Sequence, residues 1–597
     1  MLNRFRTRRE PAGFSLALPP VAAAASAAAT GSARSPSFDV GADGAPPAQQ
    51  PVVDAPAKGV TDSMTVGSLA EVGTFRSLLD VIPPQLQTKC LALDIQFNEV
   101  RLVCSPDFFG TGQHHQISQS LKARRYSVKE EVRATESVIA DIRREAVKSH
   151  NTLVSITEES RNLQFYDDLI RGGKGLSASD IHMNIFQSGP SYVSVRRFGR
   201  IYQWKTFEGQ ALLDAVSAGF QSRTRAGSNS SGSFNPEIAG NTMTEHTIDE
   251  LNVSARLSSQ PQHNKGVGIV IRLLPDGVKG AKAPSLLQLG YTPSQTALVR
   301  ERLGRKGLAL VSGGTGSGKS TSLRSWIYDI PGFAHKAIRS VEEPVEYVMP
   351  EPNIYQVSIQ TNPDDPPEAV RRKYNAALKN ALRQDPDVLY ASEVRDAEAA
   401  SMLLESALTG HLSLGTMHGN GCIDQLLRAS LPRIGMDAAI LGALDTLSLS
   451  SYQAILPVLC KACCIDATHV LTREQQQVLT LKFGLEIATV KCANPAGCPH
   501  CWNAELDVGG YSGQTIAVEL YAPLREHGPI IRAGQWDELE VAWRKTRRTA
   551  FTDEDMTGKT ALEHAIWKVS RGEIDPRDVE AEFEPLEGYR LMELNHA

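Results

Sequence analysis

The sequence predicts a multidomain α/β protein centred on a parallel β-sheet with helices on both faces, and three observations predict it. The chain has 597 residues, too many for one hydrophobic core and enough for roughly three to five units. From Gln288 to about Gln453, apolar strand-like runs alternate with helical segments, as in strands joined by crossover helices. Within that stretch, the apolar run Leu308 to Val311 leads into a glycine-rich loop and then a helical segment through Trp326.

Residues 1–62 read as a disordered low-complexity tail. Arg4, Arg6, Arg8 and Arg9 precede an Ala-rich run, as in a signal peptide, but Pro19 and Pro20 interrupt it and Ser/Gly/Pro/Gln-rich sequence follows. A small α+β domain is expected over 63–150. Apolar runs Cys90 to Ile95 and Val100 to Cys104 predict a strand pair, and helix is expected around Leu121 and from Glu130 onward. A second unit over 151–285 rests on Tyr192, Val193, Val195 and Phe198 and on a strand from Gly268 to Leu274. Ser222 to Pro236 reads as its surface loop. The core is expected over 286–455, a cysteine module over 456–524 and a helical region over 525–597.

Bulk properties narrow the function. The net charge of −5 gives no general attraction to nucleic acid. No apolar stretch reaches the ~20 residues that span a bilayer, so a membrane role is expected to be peripheral. Most of the nine cysteines lie between Cys460 and Cys501, a pattern of metal ligation in a reducing compartment rather than of disulfides.

The loop reads Gly313-Gly314-Thr315-Gly316-Ser317-Gly318-Lys319-Ser320-Thr321. Glycines let backbone N–H groups turn inward around phosphates, Lys319 can reach the β- and γ-phosphates, and Ser320 can offer an oxygen to Mg²⁺. Two further strands end in carboxylates, at Arg339 to Tyr347 with Glu342 and at Arg383 to Asp396 with Glu393. A third segment, Thr409 to His418, carries His411 and His418. Cys460-Lys461-Ala462-Cys463 and Cys498-Pro499-His500-Cys501 are two C-x2-C pairs. Four thiolates would hold Zn²⁺ in a closed structural site; Cys464 and Cys492 compete for the same assignment.

In order and spacing these segments resemble the Walker A motif, Asp box, Walker B motif and His box of the type II secretion and type IV pilus assembly ATPases. The resemblance is close over the core and looser from about Val100 to the C-terminus. It implies a RecA-like P-loop core, with a PAS-like second domain suggested by Ala178-Ser179-Asp180-Ile181-His182. It also implies a cytoplasmic homohexamer, peripheral to the inner membrane, that hydrolyses ATP with Mg²⁺ and acts on a polytopic platform protein. Glu342 would activate water, Glu393 would sit near Mg²⁺, His418 would sense the γ-phosphate, and Arg256 and Arg272 would close on the phosphates. The cysteines resemble the module of assembly-type motors. Glu343 stands where the family usually has Asp, and Ser392 where it has Gly. Ser451 to Pro457 and Gln514 also depart from the family pattern. A conjugative nucleic-acid translocase and a non-hydrolysing switch or scaffold are the alternatives; no direct nucleic-acid contact is expected.

Overall fold

A computed structural model describes residues 65–66, 76–78 and 81–592, except 97–98, 125, 151–157, 188, 226–232, 249–250, 264, 275–282 and 360–364. The expected tail over 1–62 lies outside the described residues. The described strands form three main sheets and one small one.

The first sheet has the order β1-β5-β4-β3-β2, with β1 Thr65–Val66, β2 Arg76–Ser77, β3 Cys90–Gln96, β4 Glu99–Cys104 and β5 Ser127–Ala134. β3 and β4 are the expected antiparallel pair, with Cys90 opposite Cys104. The helix expected from Glu130 onward is corrected: this segment is β5, parallel to β4, and the next helix begins only at Glu136. Charged residues disguise the strand. Val132 and Ala134 enter the core beside Val138, Ile139 and Ile142, while Glu130 faces out and accepts from Arg101 Nε at 2.7 Å.

The second sheet has the order β8-β7-β6-β11-β10-β9, antiparallel throughout, with β6 Ala178–Ile185, β7 Pro190–Arg197, β8 Arg200–Glu208, β9 Gly240–Ile248, β10 Leu251–Pro261 and β11 Val267–Leu273. Two helices, Glu158–Gly175 and Gly209–Arg223, pack Tyr166, Leu169, Leu212 and Val216 against it. In β7 the inward residues are Ser191, Val193 and Val195. Tyr192 faces out, and Phe198 lies in the following turn at φ 50°. The β9–β10 hairpin escaped the apolar pattern because β9 buries Thr242, Thr244 and His246. His246 is satisfied by Asp167 Oδ1 at 2.8 Å and Thr244 Oγ1 at 3.0 Å.

The third sheet has the order β14-β13-β15-β16-β12-β17-β20. Its strands are β12 Gly307–Ser312, β13 Ile338–Glu342, β14 Ile354–Ser358, β15 Val388–Ala391, β16 Leu412–Met417, β17 Leu447–Leu459 and β20 Tyr511–Tyr521. All neighbours are parallel except β17 and β20. β12, β15 and β16 are buried along their length, as expected of strands covered on both sides. One face packs the helices Pro367–Ala381 and Ala397–Leu408 through Leu378 and Leu403; the other packs Pro293–Leu303 and Lys319–Tyr328 through Val299 and Trp326.

The expected border at residue 455 falls inside β17, and the last strand of the sheet comes from beyond the cysteines. The cysteine segment is therefore an insertion between paired strands, and it carries the small sheet of β18 Ile465–Asp466 and β19 Lys491–Cys492. Beyond β20, the helix Ala561–Ser570 packs Leu562, Ile566 and Val569 on the β17 and β20 residues Leu456 and Ala517.

Candidate functional site

Parallel strands all end on the same edge, so β12, β13, β15 and β16 deliver the residues that follow them to one place. Cross-strand register aligns Ser312 with Met417, Ala391 with Gly415, and Val341 with Ala391. The glycine-rich loop, Glu342, Glu393 and His418 are consequently neighbours at the carboxyl edge of the sheet, the usual place for a ligand in such folds.

The loop needs its glycines. Gly313 has φ 154°, and a Cβ there would lie 2.5 Å from Gln453 O and 2.4 Å from Ser317 Oγ. Gly316 and Gly318 both have φ 80°, a conformation that penalises a side chain. Gln453 of β17 donates from Nε2 to Ser317 O at 2.6 Å and ties the loop to the sheet. Gly314, Thr315 and Gly316 are exposed at the mouth. Lys319 Nζ donates to Gly313 O at 2.9 Å and Gly314 O at 2.8 Å, so its ammonium already sits in the concavity. Burial draws its pKa down, and the charges of Glu393 and Glu346 act against that shift. Ser320 and Thr321 begin the helix, and Thr321 Oγ1 lies 2.7 Å from Tyr347 OH.

The acidic segment after β13 is not uniform. Glu342 is buried, and its Oε1 accepts from Ser340 Oγ at 2.7 Å and Gln356 Nε2 at 2.9 Å. Burial pushes its carboxyl pKa up, against those two hydrogen bonds. Glu346 is exposed, next to the Tyr347 that is pinned to Thr321, and its charge acts on Lys319. Sequence reasoning missed Glu346, although it stands in the same acidic cluster.

Glu393 follows β15 with its side chain 27% exposed; Oε2 is 2.9 Å from Arg395 Nη2 and Oε1 is 3.5 Å from His418 Nε2. Arg395 also donates from Nη1 to Glu343 Oε2 at 2.9 Å. His411 lies at the start of β16, at the opposite edge, with Nδ1 3.0 Å from Ser406 O; it belongs to the end of a helix, not to this site. Arg256 and Arg272 face each other across β10 and β11 of the second sheet. Arg272 Nε donates to Asp180 Oδ1 at 2.9 Å. Among the described residues neither arginine bonds to the loop.

The second candidate site is the cysteine cluster. The sulfur atoms of Cys460, Cys463, Cys498 and Cys501 all lie within 4.8 Å of one another. Cys460 to Cys498 is 3.7 Å, Cys463 to Cys501 is 3.6 Å and Cys498 to Cys501 is 3.8 Å. A tetrahedron of sulfurs about 2.3 Å from zinc has edges of about 3.8 Å, so the residues fit the ion. Cys501 is buried, which raises a thiol pKa, but N–H groups of Gly510 and Cys498 outweigh this and bring it to about 7; the Gly510 bond is 3.2 Å. Cys464 and Cys492 are outside the four: Cys464 is 3.9 Å from Lys461 O, and Cys492 is buried in the C-terminal core.

A short loop beyond Cys501 reaches the second sheet. Leu506 is buried in that sheet's core beside Trp204, Trp204 Nε1 donates to Glu505 Oε2 at 2.7 Å, and Arg200 pairs with Asp578. This contact had no signal in the sequence beyond one apolar residue between polar ones.

The family model described as type II/IV secretion system protein matches residues 177–567. The chain is similar to the type IV pilus assembly ATPase PilB of Thermus thermophilus, 29% identical over 423 residues, which are 68% of this chain and 43% of that protein. It is similar to type II secretion system protein E of Aeromonas hydrophila, 31% identical over 270 residues, 45% of this chain and 48% of that protein. The chain spans about half the length of these curated relatives. Among solved structures it is similar to the ATPase DotB of Legionella pneumophila, with a TM-score of 0.47 and 19% identity over 70% of this chain and 94% of that one.

Proposed function

Because the chain belongs to the type II/IV secretion system protein family, we propose that it is an ATP-hydrolysing motor for type IV pilus assembly or a type II-like secretion machine. The observation that carries this reading is the meeting of the glycine-rich loop, the acidic segment, Glu393 and His418 at one sheet edge. Phosphoryl transfer needs charge neutralisation and a positioned water more than covalent chemistry, and this edge gathers the cationic side chains and carboxylates that could supply both.

Backbone N–H groups of residues 313–318 and the Lys319 ammonium bind the triphosphate, exchanging the carbonyls that Lys319 now contacts for phosphate oxygens. Ser320 and Glu393 would hold Mg²⁺, which supplies charge neutralisation when bound. His418, beside Glu393, reports on the γ-phosphate. Of the acidic residues, Glu346 suits the role of orienting the attacking water, since it is exposed and electrostatically linked to Lys319. Glu342 was expected in that role; the burial and double hydrogen bonding of its carboxylate favour a supporting part.

The core is read as RecA-like and the second sheet with its helices as PAS-like. Arg256 and Arg272 approach the nucleotide only on closure of the second domain, with Arg272 leaving Asp180. Cys460, Cys463, Cys498 and Cys501 hold structural Zn²⁺. The working form is a cytoplasmic homohexamer that sits against a polytopic inner-membrane platform protein. No helix among the described residues is long and apolar enough to cross a membrane. Single-turnover hydrolysis of Mg-ATP by the full chain tests the reading. Hydrolysis abolished by Glu393→Gln with nucleotide still bound is the expected result; a chain that binds no ATP would refute it.

A further inference from the structure

Arg395 joins the ends of β13 and β15 through their side chains, where Tyr374 OH already bridges their backbones, donating to Val341 O at 3.3 Å and accepting from Glu393 N at 3.4 Å. It lies in the bend after β15, and its guanidinium forks between Glu393 Oε2 and Glu343 Oε2, each 2.9 Å away. The remaining Glu393 oxygen is 3.5 Å from His418 Nε2. Both oxygens of this carboxylate thus face side chains that can carry positive charge.

Holding the fold does not account for the arrangement. The Arg395 side chain is 51% exposed, and ion pairs this wet contribute little to stability. What a guanidinium supplies that a point charge does not is a planar fork, which sets the angle between two carboxylates as well as their distance. The residue at 343 matches that reach. An Asp on the same backbone would be shorter by one C–C bond of about 1.5 Å and would leave the Nη1 contact too long. The departure from the resembled motif at this position therefore has a partner in the same chain.

We infer that Arg395 is a positioning residue for Glu393, setting the carboxylate's orientation before a divalent cation arrives and competing with that cation for Oε2. The inference rests on the reading of this edge as a Mg-ATP site. Two effects of removing the guanidinium then have opposite signs. Divalent binding tightens, because a competing cation and its repulsion are gone, while turnover falls, because the freed carboxylate samples unproductive orientations.

The test uses the full chain with a fluorescent, non-hydrolysable ATP analogue, titrated with Mg²⁺, alongside single-turnover rates and thermal unfolding. Arg395→Gln is expected to move the Mg²⁺ midpoint about three- to tenfold lower and the rate about tenfold lower, with Tm within about 2 °C of wild type. Arg395→Lys is expected to restore the midpoint but not the rate, and Glu343→Asp, which keeps the guanidinium but loosens its fork, to lower the rate without lowering the midpoint. An unmoved or raised midpoint in Arg395→Gln, or full rescue of the rate by lysine, would overturn the inference while leaving the Mg-ATP reading in place. A wild-type chain with no Mg²⁺-dependent nucleotide binding would overturn both.

Discussion

The proposed phosphate edge and the cysteine cluster are both announced by short motifs, yet they would treat their ligands in opposite ways. At the phosphate edge the charged groups stay partly in water and already have interim partners: Lys319 rests on loop carbonyls, and Glu393 on Arg395 and near His418. A ligand there exchanges one set of contacts for another, which suits a site that must bind and release. At the cysteine cluster four sulfurs already stand at the edges of a tetrahedron, inside an insertion between β17 and β20. An ion there would complete a fold rather than visit one. Residues at the first site should therefore tune chemistry at little cost in stability, and residues at the second should do the reverse.

The largest expected effect sharpens the first half of that contrast. Lys319→Ala should weaken ATP binding by about 100-fold or more, since it removes a charge-assisted contact to phosphate; calorimetric titration checks this, with Tm near wild type. At the cysteines, metal analysis should find about one Zn²⁺ per chain. Chelation or Cys463→Ser should lower Tm by on the order of 10 °C and raise hydrogen exchange from Cys460 to Gly510. Glu346→Gln should lower single-turnover hydrolysis by about 10- to 100-fold with ATP affinity retained, and Glu342→Gln should lower it less. The reverse order would return the water-orienting role to Glu342.

The contact between the two halves should show a smaller effect. Leu506→Ala removes a buried side chain from the core of the second sheet and should cost about 2 kcal/mol, read as faster exchange in β8. Smallest in stability are Arg256→Ala and Arg272→Ala. The Arg272 side chain is 47% exposed beside Asp180, so its loss should cost no more than about 1 kcal/mol. Both variants should reduce turnover while affecting ADP binding less than Lys319→Ala does.

Legibility in the sequence followed how local each constraint is. The turn of the glycine-rich loop was readable because Gly313, Gly316 and Gly318 answer a backbone demand that only glycine meets cheaply. The four cysteines were readable because ligand spacing is itself local. The burial of Glu342 was not, because the direction of a side chain at a strand end is decided by partners such as Ser340 and Gln356. β5 was misread because its charges mimic a helix face, and β9 was missed because it buries threonines and a histidine. The domain border failed for a non-local reason: β17 finds its partner β20 beyond the cysteine insertion.

The most direct measurement is thermal unfolding of the full chain and of Lys319→Ala, each with and without saturating Mg-nucleotide and with and without a zinc chelator. A ligand at about 100 times its Kd adds about 2.7 kcal/mol, so nucleotide should raise the wild-type Tm by several degrees. Lys319→Ala should lose that rise and keep the full drop on chelation. A nucleotide-induced rise that survives in Lys319→Ala, or a chelator that leaves Tm unchanged in both proteins, would contradict the division between an exchanging phosphate site and a metal that holds the fold.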